Sequence, residues 1–405
     1  MRLIIFDDGK GLLAPLTDLR PAFDVRCGPL TNLDRLAAQL GRSPDALFVP
    51  EPLADLARDT HDLPINRFPA GDGAVLFING RCPLLPASID ASLPVGTRIV
   101  EPGSGDTIAA VLEEPDARAF ADGKEPPSPP ADPPVEASIE ADQPLLLSRP
   151  WHVRSARDAA IAFDLAHFLK SPAGPVPPHA ERFGDHPVWL HPTATIHPRV
   201  TLNTESGPIV LAAGATIRAG ATILGPAFVG PRSTINEHAV IRPNTSIGPV
   251  CKVGGEVGGT VFQGYSNKAH DGYLGDSWVG EWVNLGAATV NSNLLNTYAE
   301  IVCQAEPGGK REKTGETFLG AIIGDHVKTS IGTRLMTGCV LHTGSMFAQT
   351  APVSGCIARF TWATGAEPKP YRISKFIEVA QAVMGRRDIE PSEAYLARLR
   401  QLSAE

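Results

Sequence analysis

The chain has 405 residues, 20% of them charged, and a formal net charge of −8. An acidic surface repels a phosphate backbone, so nucleic acid is excluded as a main partner, and no apolar run approaches the ~20 residues of a membrane span. The length allows two or three domains, each with its own core.

The opening "MRLIIFDDGKG" breaks into two aspartates after four apolar residues. That is too short and too acidic for a signal peptide. The six cysteines (27, 82, 251, 303, 339 and 356) are scattered, without CxxC or metal-ligand spacing. A reduced, cytoplasmic protein without a metal site is the reading that follows. Short apolar runs, "RLIIF", "ALFV", "AVLFI" and "TRIV", predict strands around a helix at "NLDRLAAQLG", hence a small α/β domain over residues 1–113. Residues 113–150 are rich in Pro, Ala and acid and read as a linker, giving a first domain of 1–150 with its linker. "SARDAAIAFDLAHFL" has helical spacing with Ser155 as N-cap, and predicts a connecting helix within 151–185.

From residue 211 a period of six takes over. Leu211, Ile217, Ile223, Val229, Ile235, Ile241, Ile247 and Val253 are aliphatic in phase. Four positions later stand Ala215, Ala221, Ala227, Ser233, Ala239, Thr245 and Cys251, all small, with Val257 the exception. Leu190, Ile196 and Leu202 give an earlier phase, offset near Thr204; the period returns at Val279 and Leu285, then at Leu335, Leu341 and Phe347. Six fits neither a helix nor an alternating strand. It fits a triangular coil in which each hexad makes one short face, with coils stacked at the ~4.8 Å spacing of paired strands. The expectation is a left-handed parallel β-helix over 186–355, of the kind that trimerises side by side. Gly 39 and Pro 38 suit so many turns. "ISKFIEVAQAVMGRR" and "PSEAYLARLRQL" predict helices in a 356–405 extension that cap the open end of the prism.

One stretch carries more polar groups than a structural coil needs: "SNKAHDGYLGDSWVGEWVNLGAATVNSN", residues 266–293. It resembles the acetyltransferase half of the bacterial bifunctional enzyme that acetylates glucosamine-1-phosphate and then uridylylates the product. The shared motifs are a KAxH-type segment, Tyr-Leu-Gly-Asp and Val-Asn-Leu-Gly-Ala, and the resemblance is dense over 240–293. It implies that His270 is the catalytic base, a task suited to a group of near-neutral pKa. It further implies sugar contacts from Tyr273, Asn284 and Asn293, a backbone group of Ala287 near the acyl carbonyl of acetyl-CoA, and Arg242, in "IRPN", on the sugar phosphate. The family's lysine-bearing segment between that arginine and the histidine is replaced by "GGEVGGTVF", so Lys268 becomes the candidate phosphate contact. In "AEPGGKREKTGET" (305–317), which interrupts the hexads, Lys310 and Arg311 are candidates for the CoA phosphates, against a plain solvated excursion.

The N-terminal "LIIFDDGKGLLAPLTDLRPAFDVRCGPLT" is similar to the start of sugar-1-phosphate nucleotidyltransferases, in a shortened variant of the same two-domain family. That implies a UTP-binding, uridylyltransferase-like domain using Mg²⁺, with Gly9, Lys10, Gly11, Arg20 and Arg26 as nucleotide contacts. Two positions depart from the pattern: Ala22 stands in place of a phosphate-binding lysine, and Arg81, in "LFINGRCPLL", in place of the Mg²⁺-binding aspartate. Without that carboxylate a hard cation loses an oxygen ligand, although an arginine there can contact phosphate itself. The expected protein is a homotrimeric acetyltransferase on an amino-sugar 1-phosphate. The alternatives are a nucleotidyltransferase with a regulatory β-helix, a non-catalytic trimeric scaffold, and a zinc carbonic anhydrase whose three histidines come from neighbouring subunits, with His152, His186 and His191 as candidates.

Overall fold

The computed structural model describes residues 1–90, 92–123, 136–138, 144–365 and 367–405. Part of the expected linker, 124–135 and 139–143, lies outside the described residues; its described parts include a helix and a strand as well as loop.

The N-terminal head is built on a six-stranded sheet. In chain order it contains β1 (Arg2–Phe6), helix α1 (Asn32–Leu40), β2 (Ala46–Phe48), helix α2 (Ala54–Thr60), β3 (Val75–Asn79), β4 (Arg98–Val100), β5 (Thr107–Leu112), helix α3 (Asp116–Ala121) and β6 (Glu136–Ser138). The strand order is β2-β1-β3-β5-β4-β6. β1 runs parallel to β2 and β3, whereas β5 is antiparallel to β3 and β4. "RLIIF" and "VLFIN" are buried along their whole length because helices cover both sheet faces. Thr31 caps α1 by accepting the Asp34 N–H, and Gly41 ends it in the left-handed region at φ 66°.

Helix α4 (His152–Phe168) joins the two halves. It begins four residues earlier than "SARDAA" suggests: Trp151 occupies the N-cap in place of Ser155, whose hydroxyl, inside the helix, donates to Glu316 at 2.7 Å. Asp164 of α4 and Arg35 of α1 form a fully buried ion pair at 2.7 Å. This pins the helix to the head.

The remainder is the three-sided prism. The in-phase aliphatic residues from Leu190 to Phe347 all line one interior core, with the small Ala215, Ala221, Ala227, Ala239 and Cys251 beside them. Parallel pairing stacks each coil on the last, as in Leu211↔Val229↔Ile247. Coil strands begin at Glu181 and continue to Ala363, so the prism extends past both expected limits of 186 and 355.

The three faces differ. On the first, the outward residues of successive coils are Trp189, Val210, Phe228, Ser246, Val261, Trp278 and Ile322, all buried and all apolar but the serine. The head and α4 cover this apolar row: Ile161 and Leu165 pack on Trp189 and Phe228, and Leu16, Val25 and Trp151 pack on Val261 and Trp278. The second face presents Thr195, Thr216, Thr234, Lys252 and Asn267; the third presents Thr201, Thr222, Val240, Glu256 and Tyr273.

Helices α5 (Ile373–Gly385) and α6 (Glu393–Leu402) follow. They do not close the end of the prism. Phe376 packs on Phe360 in the last coils, while Arg387, just beyond α5, reaches Asn267 several coils back. A 13-residue helix is ~20 Å long, about four coil spacings, so α5 runs along the corner between the first and second faces.

Candidate active site

The phase of the prism explains the polar stretch. Between Val253 and Val257 a corner is shortened, and the interior positions then fall at Val257, Phe262, Lys268, Leu274 and Val279. Lys268 therefore occupies an aliphatic slot, paired in register with Val253. It is 2% exposed, and its ammonium donates to three carbonyls: Gly254 at 3.0 Å, His270 at 2.9 Å and Asp271 at 3.3 Å. Burial pulls its pKa down to about 8, opposed by the nearby Asp271 charge. Lys268 is thus not available to a phosphate. It fixes the turn that carries His270 from the inside. "GGEVGG" belongs to the same device: a Cβ on Gly255, at φ 71°, would lie 2.9 Å from the His270 carbonyl.

The His270 side chain is exposed at the corner between the second and third faces. Tyr273 opens the third face. Its ring lies across Gly275, where an added Cβ would meet Tyr273 Oη at 2.2 Å, so the glycine of "YLGD" makes room for the tyrosine. Asn293 Nδ2 donates to Tyr273 Oη at 3.1 Å and to Asp276 Oδ2 at 2.8 Å. Burial, with the Asp276 charge beside it, raises the phenol pKa. Asp276 is in turn held by Arg157 at 2.7 Å and Arg154 at 3.2 Å, both from α4. Sequence reading missed these arginines because nothing in a helical repeat says which coil it will cross. Interior Asn291 completes the support by bonding the Gly275 N–H and carbonyl, each at 2.8 Å.

Of the other expected contacts, Arg242 lies on the third face, two coils from Tyr273, and pairs with Glu256. Asn284 is exposed on the second face, bridged to Asn267 and Lys328, and so is set apart from the Tyr273–Asn293 pair. Ala287 lies on the following turn, its carbonyl taken by the Gly332 N–H at 2.8 Å. Lys310 and Arg311 are exposed on an excursion closed by antiparallel pairing of Val302–Cys303 with Glu312–Lys313. The base of that excursion packs on the head through Ile301, Cys303 and Ala305. Within one chain, no three His, Cys, Asp or Glu side chains form a metal set among the described residues.

The head has its own cleft, about 620 Å³, at the ends of β1 and β3. Asp7, Asp8, Lys10, Asn66 and Arg98 are among its walls. Gly9 and Gly11 shape its loop at φ 66° and 84°, and a Cβ on Gly11 would come 2.9 Å from the Ser148 Cα. Lys10 is exposed and reaches Asp106 at 2.8 Å. Arg81 does not face a ligand. It is fully buried and donates to Asp8 at 2.7 and 2.8 Å, to Asp106 at 2.7 Å and to the Leu147 carbonyl at 3.0 Å. Arg20 and Arg26 also lie elsewhere. Arg20 pairs with Asp325 at 2.8 Å and Glu281 at 3.2 Å in the prism. The Arg26 guanidinium bonds the Pro29 carbonyl, while its backbone N–H donates to Gln263 at 2.9 Å. "PLTDLRP" is therefore a docking block: Asp18 is bound by Arg359 at 2.7 Å, and Leu19 packs with Phe376.

The residues present do not fit Mg²⁺. Both Asp7 oxygens accept backbone N–H groups, from Gly9 and Ala22, and Asp8 and Asp106 are held by Arg81. A hard cation needs free carboxylate oxygens.

Residues 3–171 match the family model described as sugar nucleotidyl transferase. The head together with α4 is thus similar to that family. Curated relatives of the chain are similar over a part of their length. A bifunctional sugar-1-phosphate nucleotidylyltransferase/acetyltransferase from Sulfurisphaera tokodaii is 35% identical over 134 residues, 33% of either chain. The bifunctional protein GlmU of Methanococcus vannielii is 31% identical over 120 residues, 30% of this chain and 27% of that one. That of Desulfitobacterium hafniense is 27% identical over 216 residues, 49% and 44%. The chain thus spans about a third of the length of the first curated relatives it matches. A solved structure of Arabidopsis UDP-N-acetylglucosamine acyltransferase aligns over 57% of this chain and 90% of that chain, at 13% identity and a TM-score of 0.21.

Proposed function

We propose that the prism is an acetyl-CoA-dependent N-acetyltransferase acting on an amino-sugar 1-phosphate, carried on a uridylyltransferase-like head. The observation that carries this reading is the His270 turn: an exposed imidazole on a rigid coil, its main chain gripped from inside by Lys268, next to a hydrogen-bonded Tyr273–Asn293 pair. Preorganisation of this kind is what positioning a base against two substrates requires. His270 takes a proton from the sugar amine as its nitrogen attacks the thioester carbonyl. The tetrahedral intermediate then expels CoA thiolate, and the proton lost by nitrogen is returned to sulfur or water.

The first face is covered by the head, so the second and third remain for neighbouring prisms. A homotrimer would bring another chain against the His270 corner and complete the cleft. The head's cleft is of a size to hold a nucleotide, and the sugar nucleotidyl transferase match supports that use. The Arg81 cluster argues against a metal-dependent uridylyl transfer there.

The test is release of CoA thiol by the full chain from acetyl-CoA with glucosamine-1-phosphate, set beside glucosamine and other amino-sugar 1-phosphates. Thiol release that depends on both the amine and the phosphate supports the reading. No release with any amine, together with pyrophosphate release from UTP and N-acetylglucosamine-1-phosphate, would move the activity to the head. Neither reaction would leave a scaffold.

A further inference from the structure

A second cleft lies between the end of α5 and the second face of the prism, and has a volume of about 250 Å³. Three cations line it: Lys328 of the prism, and Arg386 and Arg387 just past the helix. Asn267 and Asn284 add amide groups, and the described lining contains no carboxylate. Three basic side chains held together without an acid repel one another, and they are not needed to dock α5, which is held by apolar packing at Phe376, Ala380 and Leu399.

The donors are also under-used. Arg387 Nη2 donates to Asn267 Oδ1 at 2.9 Å, but its Nε is buried and meets no acceptor among the described residues. Lys328 Nζ has only the carbonyls of Trp282 and His326, each at 3.4 Å. A buried donor left without a partner is costly. Desolvation pulls the Lys328 pKa down to about 8, a cost that a bound anion relieves.

Tyr265 and Trp282 stack at 4.6 Å between centroids and form an aromatic wall beside these cations.

We propose that this cleft binds the phosphoryl group of a small ligand. A phosphate offers three terminal oxygens to an arginine fork and a lysine, more acceptors than a carboxylate, and arginine matches its geometry. The small volume takes a phosphoryl group and its immediate neighbour rather than a whole nucleotide. Asn284, an expected sugar contact of the acetyl transfer, is one of its walls, but the three cations that define the site are separate from His270, so binding there can be read without acetyl transfer.

The experiment is calorimetric titration of the full chain with inorganic phosphate, glucosamine-1-phosphate, CoA and 3′-dephospho-CoA, with glucosamine as the uncharged-end control. Arg387→Gln and Lys328→Met are titrated alongside, each checked for an unchanged thermal melt; Arg387→Lys serves if Arg387→Gln fails to fold. The expected result is saturable binding of a phosphorylated probe, weakened at least about tenfold in the variants by loss of a charge-assisted bond. Preference for glucosamine-1-phosphate over glucosamine identifies a sugar phosphate as the source; preference for CoA over its dephospho form identifies the CoA 3′-phosphate. Absence of saturation with every phosphorylated probe, or equal affinity in well-folded variants, overturns the proposal. Because binding is read directly, a protein inactive in thiol release still decides the question.

Discussion

Lys268 and His270 are two residues apart and play opposite parts: the lysine sits inside the prism and donates to the histidine's carbonyl at 2.9 Å, while the histidine side chain stands outside in solvent. The proposed chemistry on the surface thus depends on a charge buried in a slot the repeat reserves for an aliphatic residue. Lys268→Met keeps the length and removes the charge. It also leaves the Gly254, His270 and Asp271 carbonyls without their donor, so the variant is expected to lose about 1–3 kcal/mol and to melt below wild type while still folding. Its thiol release should fall about tenfold or more as the His270 turn loosens. A stable variant with unchanged kcat would show that the turn holds itself.

The same lysine gives a pH signature. Its folded pKa of about 8 lies below the ordinary 10.5, so between these values the unfolded chain binds the extra proton. Stability from Lys268 should rise with pH across that window, by up to about 1.4 kcal/mol per pH unit, and be lost as pH falls through 8. Lys328, also near 8, adds in the same direction. Urea midpoints at pH 8 and 10 should rise less steeply in Lys268→Met than in wild type. Equal slopes would place the Lys268 ammonium in water.

Asp325 is fully buried and accepts from Arg20 of the head at 2.8 Å and from the Glu281 N–H at 2.6 Å. Asp325→Ala leaves the buried Arg20 guanidinium with Glu281 as its one remaining charged partner among the described residues, beside the Leu16 carbonyl, and should cost about 3–5 kcal/mol. The double variant Arg20→Met, Asp325→Leu should recover much of that loss. Thermal melts of the three proteins settle it; a single variant within about 1 kcal/mol of wild type would show that this pair does not hold the halves together.

Removal of residues 1–150 would uncover the face on which Val261 and Trp278 are buried under Leu16 and Val25. An apolar row of that kind drives association, so the shortened chain should aggregate unless Trp278 and its neighbours are made polar. Light scattering after purification gives the answer. A soluble, monodisperse prism would mean that the row is covered by something other than the head.

Much of the architecture was legible because one rule, a buried aliphatic residue every sixth position, repeats without reference to distant sequence. The rule hid what breaks it. Once the corner after Val253 is shortened, Lys268 and Asn291 fall on interior positions, and a lysine read in isolation looks like a solvated phosphate contact. The head misled for a related reason. "PLTDLRP" resembles a phosphate-binding block, but Arg20 and Asp18 meet Asp325 and Arg359, partners more than 300 residues away. The run "TIAAVL" was not expected as a strand, yet it is β5, central to the sheet and buried throughout. The Asp276 clamp from Arg154 and Arg157 was equally out of reach, because it depends on where α4 crosses the coils.

The central claim is that His270 is the base of an acetyl transfer. The most direct measurement is CoA thiol release from acetyl-CoA and glucosamine-1-phosphate by wild type and by His270→Ala. The histidine side chain is exposed, so the variant should fold and melt as wild type does. A fall of at least about 100-fold in kcat is predicted, within the range for loss of a general base. An active wild type with a variant within about threefold of it would contradict the account.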